Sequence, residues 1–182
     1  MLDVGCGTGL SLALLHDAVG ARGHIIGIEQ CPEMIERARL CVRQQGWGNV
    51  TLIEAPAEAA EIAATADAAL FHFTHDILCD PLALNHVARS LRPGARVVAC
   101  GLQWVHPWAW PLNLFVLSAA LHSVSSIDGL DRPWSGLARH IDELQVDTML
   151  AGAVYLASGT TRPLPGPAMR VAPTTGDKHE DS

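Results

Sequence analysis

The stretch Met1-Leu2-Asp3-Val4-Gly5-Cys6-Gly7-Thr8-Gly9 decides how the chain is read. Its first four residues have the pattern of a buried strand tail, and glycines then occupy every second position to Gly9. Apolar residues at helical spacing follow at once, with Leu10 and Leu14 on one row, Leu12, Leu15 and Val19 on another, and Gly20 as the stop. The segment predicts a strand, a glycine turn and a helix. Such a turn leaves backbone N–H groups at a helix N-terminus facing open space, without side chains to keep a ligand away.

His24 to Ile28 is a second strand that ends at Glu29, 20 residues beyond Gly9. In a parallel sheet the ends of these two strands are adjacent, so the Glu29 carboxylate is placed to accept hydrogen bonds from ribose hydroxyls beside the turn. Pro32 and Glu33 open a second helix, expected to run to Gln45 and stop at Gly46. Val50 to Glu54 is a third strand, Ala57 to Thr65 a short alanine-rich helix, and Ala68 to Phe73 a fourth strand. Asp80-Pro81 caps and starts a helix with Leu84, Val87, Ala88 and Leu91 on its apolar face. Pro93-Gly94 ends that helix, and Ala95 to Cys100 is a fifth strand. After a tryptophan-rich segment, a helix is expected at Leu112 to Ser123. Leu144 to Leu150 and Ala153 to Ala157 then read as an antiparallel pair across Ala151-Gly152. The fold class is α/β: a doubly wound, mostly parallel, seven-stranded Rossmann-like sheet that closes with an antiparallel C-terminal strand pair.

Composition sets the outer bounds. The chain has 182 residues, 49% hydrophobic and 17% charged, which suits one domain with a real core and excludes global disorder. A net charge of −7 with no Lys/Arg stripe argues against a nucleic-acid partner. The most apolar stretch, Val105 to Leu121, is interrupted by His106, Pro107, Pro111 and Asn113, so no membrane span is expected. Cys6, Cys31, Cys41, Cys79 and Cys100 contain no C-x-x-C pair. That pattern suggests neither a disulfide framework nor a zinc site, and with no secretory signal at Met1 it points to the cytoplasm.

The glycine spacing also discriminates between cofactors. A dinucleotide turn has the pattern G-x-G-x-x-G, whereas the third glycine here comes one residue early and Asp3 stands two residues before the first. A nucleotide-cofactor oxidoreductase is therefore disfavoured. Leu2 to Gly9 instead resembles the first motif of the class I S-adenosylmethionine-dependent methyltransferases. Ile26-Gly27-Ile28-Glu29, followed by Cys31-Pro32-Glu33-Met34-Ile35, is similar to their second motif, and Leu91-Arg92-Pro93-Gly94-Ala95 to the L-[KR]-P-G-G before the fifth strand. The resemblance covers residues 1 to about 101 motif by motif.

It implies S-adenosylmethionine as cofactor and residues 1–161 as the domain; Pro163, Pro165, Pro167 and Pro173 and the polar end mark 162–182 as a disordered tail. Gly5, Gly7 and Gly9 would cradle the methionine portion with Asp3 near its ammonium. Glu29 would hold the ribose, and Gln30 and Met34 would border the adenine. Pro56 stands where the family commonly has an Asp that meets the adenine amino group, so the Ala57 N–H and Glu58 are the expected substitutes. The family has helices before its first strand that close over the cofactor. Met1 lies inside that strand, so these residues alone are expected to bind the cofactor weakly or to be poorly stable.

Ligands of open parallel sheets sit beyond the carboxyl ends of the strands, which turns attention to Phe71-His72-Phe73-Thr74-His75-Asp76. Phe71 and His72 are expected along the cofactor. His75, with Asp76 beside it, is the candidate base for an acceptor that carries a proton, with His72 as the alternative. His72 and His75 with Asp76 or His86 could instead bind a metal, or the histidines could be structural. A strand end gives no sign of convergence, and no metal is expected. Trp104, His106, Trp108 and Trp110, within a segment spanning 101–140, read either as a lid over a small, partly hydrophobic methyl acceptor or as a buried helix or homodimer interface. The rival to an enzyme is a noncatalytic module of the same fold that binds the cofactor, or acts through its tryptophans.

Overall fold

A computed structural model of the chain describes residues 1–105, 113, 114, 116 and 129–162. The elements, in order, are β1 (Leu2–Val4), α1 (Leu12–Val19), β2 (Ile25–Glu29), α2 (Pro32–Gln45), β3 (Val50–Glu54), β4 (Ala66–His72), α3 (His75–Cys79), α4 (Pro81–Arg89), β5 (Leu91–Leu102), β6 (Ile141–Met149) and β7 (Val154–Thr161). They form one seven-stranded sheet in the order β3-β2-β1-β4-β5-β7-β6. Strands β1 to β5 pair in parallel, and β7 runs antiparallel to both β5 and β6. The expected doubly wound sheet with an antiparallel end is therefore the observed one.

Alternation along β1 places helices on both faces. Leu2 and Val4 are fully buried in the larger core cluster with Leu84 and Val87 of α4, Phe71, Val97 and Tyr155. Asp3, between them, points to the other face, where Ser11 stands at the head of α1. A second cluster there joins Leu12, Ile25 and Ala38 from α1, β2 and α2. Strand order reverses between β1 and β4, which opens a crevice above their carboxyl ends.

Several local expectations are corrected. Residues Ala57 to Thr65 are not helical: Ala57 to Ala59 make a turn, closed by the Ala59 N–H on the Pro56 carbonyl at 3.0 Å, and the rest is irregular. Ala57, Ala60 and Ile62 bury too little apolar surface to repay the cost of starting a helix. The Ala60 carbonyl instead lies 2.8 Å from His86 Nε2. Helix α1 starts at Leu12, leaving Leu10 and Leu14 exposed, because only the Leu12 row faces the sheet.

Asp80 caps α4 as expected, accepting from the Leu82 N–H at 2.8 Å. The helix stops at Arg89, however, and β5 begins at Leu91 rather than Ala95. Pro93-Gly94 lies in a register shift between the pairs Ala66/Leu91 and Ala68/Arg96. Thr161 Oγ1 pins that shift, accepting from the Ala95 N–H and donating to the Arg92 carbonyl. The short helix α3 was not expected. Of the expected helix at Leu112 to Ser123, Asn113, Leu114 and Val116 are among the described residues and are helical; His106, Trp108, Trp110 and the tail beyond Arg162 lie outside them.

Candidate functional site

A cavity of about 720 Å³ opens above the carboxyl ends of β1, β2 and β4. Its walls are the glycine turn, the segment from Ile28 to Met34, the residues after β3, and the run from His72 to Asp80. The three glycines serve different ends. Gly7 has a positive φ of 55°, and a Cβ there would meet nothing within 4 Å, so its bare face is open toward a ligand. A Cβ on Gly5 would collide with Thr74 Cγ2, so this glycine lets the turn press against the chain after β4. Gly9 permits close packing on Leu12 and Ala38, and it is not part of the cavity wall.

Glu29 is tied to the turn it was expected to serve. Its Oε2 accepts from the Gly7 N–H at 3.0 Å and its Oε1 from the Cys31 N–H at 2.8 Å. Each carboxylate oxygen keeps a lone pair for a further donor. Asp3 is fully buried: Oδ2 accepts from the Ser11 hydroxyl at 3.2 Å, and Oδ1 has no hydrogen-bond partner. Burial pushes its carboxyl up to about 6, against the pull of the Ser11 hydrogen bond. Cys6 is held as a neutral thiol, pushed up to about 12 by burial and then by the Asp3 and Glu29 carboxylates.

Of the residues expected along the cofactor, Gly5, Gly7, Glu29, Gln30, Met34, Ala57, Glu58 and His72 line the cavity. Asp3 reaches it only through Ser11, which does line it. Phe71 does not belong there: its side chain is 1% exposed and packs in the core below. Strand alternation is the cause, since Ala69 and Phe71 share the inward face of β4.

The next residue on that face, Phe73, escapes the alternation because its φ of 58° ends the strand and turns the ring outward, 43% exposed, into the cavity wall. An aromatic residue at positive φ is an outlier that the surroundings must hold in place. The Phe73 N–H donates to the Cys100 carbonyl at 2.9 Å, and the His72 ring meets the Phe73 ring edge-on at 4.9 Å. His75 and Asp76 both line the cavity from α3. His75 is buried, with Nε2 3.5 Å from Cys79 Sγ, and Asp76 is exposed.

Sequence reasoning missed Ser11, Cys31, Phe73 and Thr74 in the wall. Phe73 and Thr74 lie inside the segment singled out after the fourth strand, but period-two alternation gives no sign of a left-handed residue there. Among the described residues, no three His, Cys, Asp or Glu side chains gather closely enough to hold a metal, and no helix is long and apolar enough to cross a membrane.

A family profile described as a methyltransferase domain matches residues 1–94, the span that holds the glycine turn and the acid at the end of β2. The chain belongs to this methyltransferase-domain family. Among curated relatives, it is similar to a protein-L-isoaspartate O-methyltransferase of Methanothrix thermoacetophila, 30% identical over 108 residues that cover 54% of this chain and 45% of that protein. An aklanonic acid methyltransferase of Streptomyces sp. (strain C5) is 40% identical over 58 residues, covering 32% of this chain and 26% of that protein. The chain spans less than half the length of the curated relatives it matches. Among solved structures, the N-methyltransferase NodS of Bradyrhizobium japonicum WM9, in complex with S-adenosyl-L-homocysteine, superposes with a TM-score of 0.60. Identity is 15%, over 88% of this chain and 76% of that one. The methyltransferase domain thus has the class I fold that its motifs resemble.

Proposed function

We propose that this methyltransferase domain is an enzyme that binds S-adenosylmethionine and methylates a small, partly hydrophobic molecule. The observation that carries the reading is one cavity that joins a glycine turn and its Glu29 clamp to an imidazole, His75, on the far wall. Residues present fit the cofactor: the buried Oδ1 of Asp3 lacks a partner, and the face of Gly7 is bare. When bound, S-adenosylmethionine supplies a methyl group on a positively charged sulfur.

The residues of the chain position and shield. Glu29 accepts hydrogen bonds from the ribose hydroxyls while keeping the turn closed through the Gly7 N–H. The Ala57 N–H and Glu58 meet the adenine edge, and Gln30 and Met34 flank it. Asp3 answers the ammonium. Leu10, Phe73 and Ile77 give the cavity apolar wall that excludes water and suits a partly hydrophobic acceptor. For an acceptor that bears a proton, the His75 imidazole, which lines the cavity with Asp76, takes it as general base. The five cysteines, with no C-x-x-C pair among them, support a reducing, cytoplasmic setting.

Calorimetric titration with S-adenosylmethionine, S-adenosylhomocysteine and NAD tests the reading. The first two are expected to bind and NAD is not. Glu29→Ala is expected to weaken binding by about 3 to 6 kcal/mol, since two ribose hydrogen bonds to a charged group are lost at about 1.5 to 3 kcal/mol each. An unchanged dissociation constant for Glu29→Ala would remove that residue from the site.

A further inference from the structure

We infer that Thr74 is a ligand-binding residue whose hydroxyl donates to the carboxylate of the ligand's amino-acid end, beside Gly5, while Asp3 reaches the same turn through Ser11. The inference rests on the cofactor reading above and adds a residue to it. Thr74 lines the cavity, and its Oγ1 is buried without a hydrogen-bond partner. A buried hydroxyl left unpaired is costly, so a native fold that keeps one at a cavity has a use for it.

The local sequence makes the missing partner more telling. Thr74 stands at the residue before α3, where a threonine hydroxyl ordinarily accepts from an N–H in the first turn. It makes no such bond, because its backbone, at φ −115° and ψ 55°, departs from the extended conformation that capping uses. Its methyl group instead packs where a Gly5 side chain would stand, which fixes the side chain against the glycine turn.

Two buried oxygens beside the glycine turn therefore lack partners: Thr74 Oγ1, on a hydroxyl of the cavity wall that can donate, and Asp3 Oδ1, on a carboxylate that stands behind the wall residue Ser11. Their chemistry matches a zwitterionic amino acid, with the carboxylate of Asp3 for an ammonium and the hydroxyl of Thr74 for a carboxylate. A neutral nucleoside thioether has neither group.

The test compares binding of S-adenosylhomocysteine with 5′-methylthioadenosine, which keeps adenine, ribose and sulfur but lacks the amino-acid end. Thr74→Val keeps the branched shape and removes only the hydroxyl. It is expected to weaken S-adenosylhomocysteine by about tenfold, leave 5′-methylthioadenosine unchanged, and melt no lower than the unchanged chain. Thr74→Ser retains the hydroxyl and is expected to bind S-adenosylhomocysteine within about threefold of the unchanged chain. Unaltered S-adenosylhomocysteine affinity in Thr74→Val, or an equal loss for both ligands, overturns the role given to Thr74 and leaves the cofactor reading standing. Binding of neither ligand by the unchanged chain overturns the cofactor reading, and this inference with it.

Discussion

The glycine-turn side of the cavity, from β1 to the end of β2, is held by main-chain groups, whereas the β4 side, from His72 to Asp80, depends on side-chain packing around a left-handed Phe73. On the first side, N–H groups of Gly7 and Cys31 converge on one carboxylate, and the bare face of Gly7 leaves room. Such a device binds what related sheets bind, because backbone geometry is indifferent to the other residues nearby. On the second side the wall is made by whichever side chains the strand end presents, and this is where an acceptor would be distinguished. The difference explains why the motifs of the chain concentrate in β1 and β2, and why the segment after β4 names no acceptor.

The two sides touch at Gly5 and Thr74. Gly5→Ala would drive a Cβ into Thr74 Cγ2 at a φ of 74°, and is expected to destabilise the fold by roughly 3 kcal/mol or more in urea denaturation. If the loss is small, the two sides are not packed as described.

On the first side, Asp3→Asn separates stability from binding. The folded carboxyl is raised from 3.8 to about 6, so the native state holds a proton that the unfolded state has released between those pH values. Stability therefore falls as the pH rises through that window, and the loss is complete above it. Asp3→Asn is expected to gain about 1 to 3 kcal/mol at pH 8, an advantage that shrinks as the pH is lowered toward 4, while binding S-adenosylhomocysteine more weakly. Urea titrations at several pH values and calorimetry check the two halves.

On the second side, Phe73→Gly is expected to be more stable than Phe73→Ala by about 1 kcal/mol, because only glycine adopts a positive φ without cost. Equal melting temperatures would mean that the left-handed backbone relaxes when the ring is removed.

Legibility follows the same division. Gly5 to Gly9, Glu29, the Pro32 start of α2 and the Asp80 cap were readable because each rests on interactions within a few residues or on a fixed strand-to-strand offset. Ala57 to Thr65 is not legible because alanine favours a helix locally, and nothing in the sequence shows that Ala57, Ala60 and Ile62 bury too little to repay the start of one. Phe71 was assigned to the cavity in place of Phe73 and Thr74 because the conformation that ends β4 is not encoded in any residue preference: phenylalanine disfavours positive φ, and the surroundings impose it.

By itself, the sequence determined the alternation of strands and helices, the glycine turn, and its pairing with an acid 20 residues later, because hydrophobic period, glycine and proline act over short distances. Tertiary structure alone decided that Leu12 rather than Leu10 and Leu14 faces the sheet, that Pro93-Gly94 is absorbed into β5, and that Asp3 Oδ1 and Thr74 Oγ1 are left without partners. Each of these depends on what packs against a residue from a distant part of the chain, and burial is a property of the assembled sheet, not of the segment.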